Sequence, residues 1–323
     1  MRLLGIDTSN YRTSLCIINE HYQVISEQNP LLDVKEGELG LQQSTAVFNH
    51  LKAWSTILQS ISKEEINAIG VSTKPRPSAD SYMPVFKVGE VLAETLAHFL
   101  SVPLYRTSHQ EGHVAAGEYS IMDRPVHKQF LAVHLSGGTS EVLLCHRTEQ
   151  GYHIEKLGGT LDLHAGQFVD RVGVKLGLPF PAGPYIEKLA LSWEEEGTVL
   201  PLPTIPSYTK GIDFSFSGPT SAALRLIDAN HYKPGQIARA VENTIAKTLE
   251  KSLLEAINAT AIKEILLVGG VAANHYLTNR LKKRLEHKAV GGKLYMALPK
   301  YATDNAFGVA CIALNRLKSE QFY

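Results

Sequence analysis

Cysteine is scarce in this chain: Cys16, Cys145 and Cys311 are the only three in 323 residues, far apart and with no Cys-x-x-Cys pair. That excludes a disulfide scaffold and suits a reducing compartment. Net charge is absent too, with 32 Lys and Arg standing against 32 Asp and Glu. A free-standing nonspecific nucleic-acid binder needs an overall cationic field, so the balance leaves room only for a local basic patch. No stretch approaches the roughly 20 apolar residues of a membrane span. The opening Met1-Arg2-Leu3-Leu4-Gly5-Ile6-Asp7 is too short an apolar run for a signal peptide, and Asp7 interrupts it. Low-complexity tracts and flexible linkers are missing as well. The expectation is a soluble cytoplasmic protein with no membrane contact, and at 44% hydrophobic it is long enough for two lobes.

Apolar runs predict strands at 2–7, 13–18 and 23–26, an opening meander with a turn at Thr8-Ser9-Asn10. Val47, Leu51, Trp54, Ile57, Leu58 and Ile61 fall at helical spacing and predict a helix over 46–62. A strand at 66–72, a Lys-Pro-Arg-Pro loop at 74–77, a helix at 85–100 and a strand at 102–105 follow. A second meander is expected at 129–136, 140–146 and 151–157, then helices at 164–177, 183–192, 219–228 and 234–257. The strand 264–268 leads through Gly269-Gly270 into a helix at 272–286. After 293–297 comes a last helix at 303–317. Strands followed by helices thus occur twice, near residues 1 and 130, each set with a turn rich in Gly, Ser or Thr. The Pro-rich stretch 200–206 reads as a surface excursion.

His109-Gln110-Glu111-Gly112-His113 carries the sharpest chemistry. Two histidines four apart on a helix share one face, so both imidazoles reach one point, half of a transition-metal site. After a strand exit at 102–105, the pair falls at a strand-to-helix corner, where α/β proteins place ligands. A third ligand must come from elsewhere. Asp304 is a candidate that leaves positions for water or substrate; its competing reading, shared with Thr303, is an N-cap of the last helix.

Ser136-Gly137-Gly138-Thr139-Ser140 joins two strands. It reads either as a phosphate cradle of amides and hydroxyls or as a type I′ or II′ hairpin turn. Gly269-Gly270, running through Ala272 and Ala273 to Asn274, suits a nucleotide at a helix N-terminus or simply a tight turn. Asp170 lies inside an amphipathic helix, where a surface ion pair is the ordinary role, and Pro184 after Pro181-Ala182-Gly183 suits the first turn of the next helix. Asp213 to Gly218 alternates polar and aromatic residues, as a strand edge or a loop. Arg280, Lys282, Lys283, Arg284 and Lys288 make a basic run, a solvated face or an RNA-phosphate contact.

Taken in order, these segments resemble the TsaD/Kae family of tRNA threonylcarbamoyl transferases over nearly the whole chain. The residues that match are His109 to His113, Ser136 to Gly138, Gly166 to Asp170, Pro181 to Pro184, Phe214 to Gly218, Gly269 to Asn274 and Thr303 to Asn305. The resemblance implies an α/β, two-lobed actin-like ATPase fold, with duplicated mixed sheets flanked by helices. The lobes are expected at 1–105 plus 300–323 and at 106–299. It implies one Fe or Zn ion on His109, His113 and Asp304. An adenine nucleotide (threonylcarbamoyl-AMP, ATP or ADP) is implied on Ser136, Gly137, Gly138, Thr139, Ser140, Asp170, Gly183 and Asn274, with Ser136, Thr139 and Asp7 as catalytic residues. The implied reaction passes a threonylcarbamoyl or related carbamoyl group from an adenylate to a tRNA adenosine. A smaller actin-like paralogue is the implied partner, through the first lobe.

Three stretches depart from the family pattern. Asn10-Tyr11-Arg12-Thr13 stands where the family has Cys-Asp-Glu-Thr, which reverses a charge. Lys74-Pro75-Arg76-Pro77 replaces a Gly-Pro-Gly loop whose glycines let the backbone approach a ligand. Thr139 replaces a His. The pattern suits a divergent paralogue, and the alternative function is a nucleotide- and metal-binding scaffold or regulator of a transferase complex. A zinc peptidase is disfavoured: its signature is His-Glu-x-x-His, whereas Gln110 follows His109 here and Glu111 lies about 100° further round the helix.

Overall fold

The computed structural model describes residues 1–9, 11–33, 41–195 and 201–321. Asn10 of the expected turn and Leu200 of the Pro-rich stretch lie outside the described residues. The chain divides into two compact units, Met1–Arg124 with His146–Ile154 and Lys300–Tyr323, and Pro125–Cys145 with Glu155–Pro299. Residues 106–124 therefore belong with the first unit, whereas a lobe boundary at 105 sets them in the second.

The first unit opens with β1 (Arg2–Thr8), β2 (Thr13–Asn19) and β3 (Val24–Gln28), an antiparallel meander. Then come α1 (Gln43–Ser60), β4 (Ala68–Lys74), α2 (Phe86–Leu100), β5 (Leu104–Ser108) and α3 (His109–Tyr119). β4 pairs parallel with both β1 and β5, so the sheet runs β3-β2-β1-β4-β5. β1 is covered on both faces, Gly5 against the last helix of the chain and Ile6 and Thr8 against α2. This is why Leu-Leu-Gly-Ile is a continuous apolar run rather than an alternating one.

The second sheet repeats the plan. β6 (Gln129–Leu135), β7 (Ser140–Thr148) and β8 (Gly151–Gly159) are its meander. α4 (Ala165–Lys175), α5 (Gly183–Glu195), β9 (Tyr208–Lys210), β10 (Asp213–Ser215), α6 (Ser217–Ala229) and the long α7 (Pro234–Thr260) follow. β11 (Glu264–Val268), α8 (His275–Leu285) and β12 (Lys293–Met296) complete it. β11 pairs parallel with β6 and β12, giving β12-β11-β6-β7-β8, the first sheet's order again. The chain then passes through α9 (Pro299–Ala302) to α10 (Phe307–Gln321). The first half of α10, Phe307 to Leu314, is apolar and buried because it lies between the β1 and β4 region of the first sheet and α3.

Four expectations shift. β5 continues to Ser108 because Thr107 and Ser108 keep pairing with β4. The helix expected from 272 starts at His275, after a 3-10 turn over Gly270–Ala273. The helix expected from 303 starts at Phe307. β9, which the pattern did not suggest, pairs antiparallel with β10 and makes Asp213–Ser215 a strand rather than a loop. No helix among the described residues is long and apolar enough to cross a membrane.

Candidate functional site

The strand-to-helix corner forms as the sequence suggests. β5 ends at Ser108, whose hydroxyl accepts the Glu111 amide, while Glu111 reaches back to accept the Ser108 amide in a capping box. Glu111 Oε2 also takes the hydroxyls of Thr107 and Ser108 at 2.9 and 2.8 Å. This buried carboxylate is spent on starting α3, which removes it as a peptidase base.

One turn apart, His109 and His113 bring their Nε2 atoms to 3.1 Å. Asp304 Oδ1 stands 3.3 Å from His113 Nε2 and 3.6 Å from His109 Nε2. Ligand atoms about 2.0–2.2 Å from a tetrahedral metal lie about 3.3–3.5 Å from one another, so these three donors fit one ion. Two imidazoles and one carboxylate with open positions suit Zn or Fe(II). The side chains of His109 and Asp304 are 17% and 23% exposed, so the cluster is reachable from solvent.

Behind this trio, Asp7 Oδ2 contacts His109 Nδ1 at 2.9 Å. That contact directs Nε2, with its lone pair, toward the other two ligands. Asp7 is fully buried, and its oxygens also accept the Ser9 amide at 3.0 Å and the Ser72 hydroxyl. Asp7, expected as a catalytic residue, is thus placed where it can orient His109. Ser9 Oγ donates to Asp304 Oδ2 at 2.8 Å, fixing the carboxylate from its other side.

The N-cap reading of Thr303 and Asp304 is corrected. Asn305 Oδ1 accepts the Phe307 amide at the start of α10, and its Nδ2 donates to the carbonyls of Tyr301 and Thr303. Asn305 thus locks the bend between α9 and α10 and leaves the Asp304 carboxylate for the histidines. Sequence reasoning missed Ser9 and Asn305 as supports; their signal is adjacency to Asp7 and Asp304.

Burial works against a charged ring at His109, but Asp7 and Asp304 outweigh it and lift the group up to about 10. Asp304 is itself opposed by burial yet held well below the usual carboxylate range by both histidines. A metal bound through His109 Nε2 has to displace that proton.

The remaining expected residues all lie in the second unit. Ser136 Oγ accepts the amides of Gly138 and Thr139 at 3.2 and 2.9 Å, and the Ser136 amide donates to the Thr139 carbonyl at 2.7 Å. Neither Gly137 nor Gly138 takes a left-handed φ, so the turn is not of the I′ or II′ type. The serine oxygen thus organises the two amides of the turn. Ser140, expected beside the nucleotide, is fully buried, and its hydroxyl accepts the Ala165 amide at 2.8 Å, tying α4 to the turn.

Asp170, on α4, accepts the Ala182 amide at 2.7 Å, immediately before Gly183 opens α5. Burial raises its carboxyl, against that hydrogen bond. Gly269 is required twice over: its φ is +97°, and a Cβ there would meet the Leu135 carbonyl oxygen at 2.3 Å. Asn274 then caps α8, with Oδ1 accepting the Leu277 amide at 2.8 Å. Glu187 on α5, which sequence reasoning missed, accepts the next amide, that of His275, at 2.7 Å.

Two meander-and-parallel sheets of the same strand order, flanked by helices, define a protein of the actin-like ATPase fold. The sequence pattern of TsaD, tRNA N6-adenosine threonylcarbamoyltransferase, matches residues 51–311, and the chain belongs to that family. All the His-His-Asp and turn residues fall inside the match, whereas Asp7 and Ser9 precede it. Solved structures agree on the fold. A ROK family protein from Streptococcus pneumoniae is similar at 13% identity and TM-score 0.58, over 100% of both chains. The activator of the 2-hydroxyisocaproyl-CoA dehydratase from Clostridium difficile, solved with bound ADPNP, is similar at 13% and 0.56, over 100% of this chain and 97% of that one. HypF from T. kodakarensis is similar at 15% and 0.56, over 99% of this chain but 48% of the other.

Proposed function

We propose that this protein transfers a threonylcarbamoyl, or closely related carbamoyl, group from an adenylate to the amine of a tRNA adenosine. The observation that carries the reading is the convergence of His109, His113 and Asp304 within a chain of this family, with Asp7 and Ser9 fixing two of them from behind. In this reading the three residues hold one Fe or Zn ion, which supplies a Lewis acid for the carbonyl or phosphate oxygens when bound. Ser136 to Thr139, Asp170, Gly183 and Asn274 hold the adenine nucleotide, as threonylcarbamoyl-AMP, ATP or ADP. The ADPNP bound by the C. difficile activator, a protein of the same fold, supports the nucleotide assignment. Transfer forms a bond between the adenosine amine and the carbonyl carbon and breaks the carbon–oxygen bond to the phosphate, releasing AMP and, to solvent, the amine proton. A cytoplasmic setting fits the tRNA substrate.

The chain's own groups account for positioning. Asp7 keeps His109 in one tautomer, and Asn305 and Ser9 hold Asp304 facing the histidines. Arg12, the charge reversal, is turned to the backbone: its guanidinium donates to the Asn29 carbonyl at 2.6 Å. The resemblance supports a smaller actin-like partner, and the first unit's helices expose Phe48 and Leu51 on α1 and Val91 and Phe99 on α2.

One observation favours the second reading, a scaffold or regulator that binds both ligands without turnover. The divergent loop 74–77 abuts the metal helix directly, the Gln110 amide donating to the Pro75 carbonyl at 2.9 Å. Expression in a strain lacking its threonylcarbamoyl transferase, followed by tRNA nucleoside analysis, separates the two. Restored modification establishes the transferase and rules out the scaffold. Unmodified tRNA, with the purified protein retaining metal and ADP, establishes the scaffold instead.

A further inference from the structure

Asn274 is committed on one side of its amide before any ligand arrives. Its Oδ1 accepts the Leu277 amide at 2.8 Å, and its Nδ2 donates to Glu242 Oε1 at 2.6 Å. The reverse orientation would set Nδ2 against an N–H and Oδ1 against a carboxylate, so these two neighbours together fix which way the amide faces. One N–H and one oxygen lone pair remain.

Glu242 is itself clamped. It is 3% exposed on α7, and its other oxygen accepts Arg239 Nη1. Arg239 is 1% exposed, gives Nη2 to Glu194 at 2.7 Å and lies over the Tyr276 ring at 4.0 Å. A buried ion pair of this kind stabilises a fold poorly, because desolvation offsets most of the attraction; its best-attested use is to specify one arrangement. Here the arrangement it specifies is that of Asn274.

We propose that Glu242 is a positioning residue for nucleotide recognition: clamped by Arg239, it holds Asn274 so that a donor and an acceptor point together at a ligand group that both accepts and donates, such as a ribose hydroxyl. This rests on the reading that Asn274 touches the nucleotide. The carboxylate is needed in its charged form, since only then do both oxygens accept. Burial pushes Glu242 up to about 7, with Glu187 and Glu194 of α5 acting in the same sense, while Asn274 on the approach to α8 and Arg239 on α7 act against it. Nucleotide affinity therefore falls as pH drops through neutrality.

The test is ADP binding by calorimetry to the full chain at pH 6.0 to 8.5, for the native protein and for N274A, E242Q, N274A/E242Q and the charge-free pair R239M/E242M. Far-UV circular dichroism checks folding, and R239M/E242M keeps the packing should E242Q fold poorly. The expected result is about tenfold weaker binding for each variant at pH 8, no further loss when N274A is added to E242Q, and a shallower pH dependence than native once Glu242 is replaced, leaving only that of the ADP phosphate. Native affinity in N274A would overturn the underlying nucleotide assignment. Weakened binding in N274A with native affinity and a native pH profile in E242Q and R239M/E242M would overturn the role of Glu242 alone.

Discussion

Gly308→Ala probes the link between packing and the metal site. Gly308, in the first turn of α10, faces Gly112 on α3; a Cβ there would stand 1.9 Å from the Gly112 carbonyl oxygen and 2.5 Å from the Ala116 amide nitrogen. Both obstacles are backbone, so no side chain can swing aside. Recovering an ordinary contact of about 3.4 Å moves α10 away from α3 by roughly 1.5 Å. Asp304 sits three residues before α10 and the histidines sit on α3, so the same shift opens the 3.3 Å gap between Asp304 and His113. Metal ligands tolerate only about 0.2 Å of misplacement. The overpacking itself costs on the order of 1–3 kcal/mol, toward the upper end because nothing flexible yields. The assays are urea unfolding of the metal-free protein and metal content by mass spectrometry after reconstitution with Zn or Fe(II). Gly218→Ala is the control: on α6 with nothing within 4 Å of an added Cβ, it is expected to stabilise by up to about 1 kcal/mol. An unchanged midpoint and full metal content in the Gly308 variant would refute the reasoning that close helix contact sets the site.

Asp7→Asn is expected to weaken metal binding by about 10–100-fold without removing a ligand, as read by chelator competition; affinity equal to native would mean that Asp7 does not orient His109. Because His109 is raised to about 10, its contribution to metal-free stability is present below its unfolded value near 6.5 and is lost as pH rises toward 10. Metal affinity rises over the same interval, so the difference in melting temperature between metal-bound and metal-free protein should widen from pH 6.5 to 9.5. A constant difference contradicts the assignment of His109 as a ligand. Glu111→Ala strips the acceptor from the Thr107 and Ser108 hydroxyls and the Ser108 amide, and should cost about 1–3 kcal/mol in urea unfolding. A midpoint within experimental error of native would show that the capping box does not support α3.

The sequence by itself determined most of what is local or periodic. The two meanders, the long amphipathic helices and a strand-to-helix corner before His109 follow from apolar spacing, which acts over a few residues, whereas the extension of the strand to Ser108 and its cap do not. The His-x3-His pair is legible for the same reason, since helical geometry alone sets both rings on one face. What it left open depends on contacts between distant segments. Asp304 had two readings until Asn305 took the cap of α10, and Asp7, expected as a catalytic residue, is found buried against His109, Ser9 and Ser72. Ser140 looks like part of an anion cradle until its hydroxyl is found starting α4. Spacing cannot report which oxygen a buried carboxylate gives to which donor. That choice is made by packing, when α10 closes on α3 at Gly308 and brings residue 304 within hydrogen-bond range of residue 113.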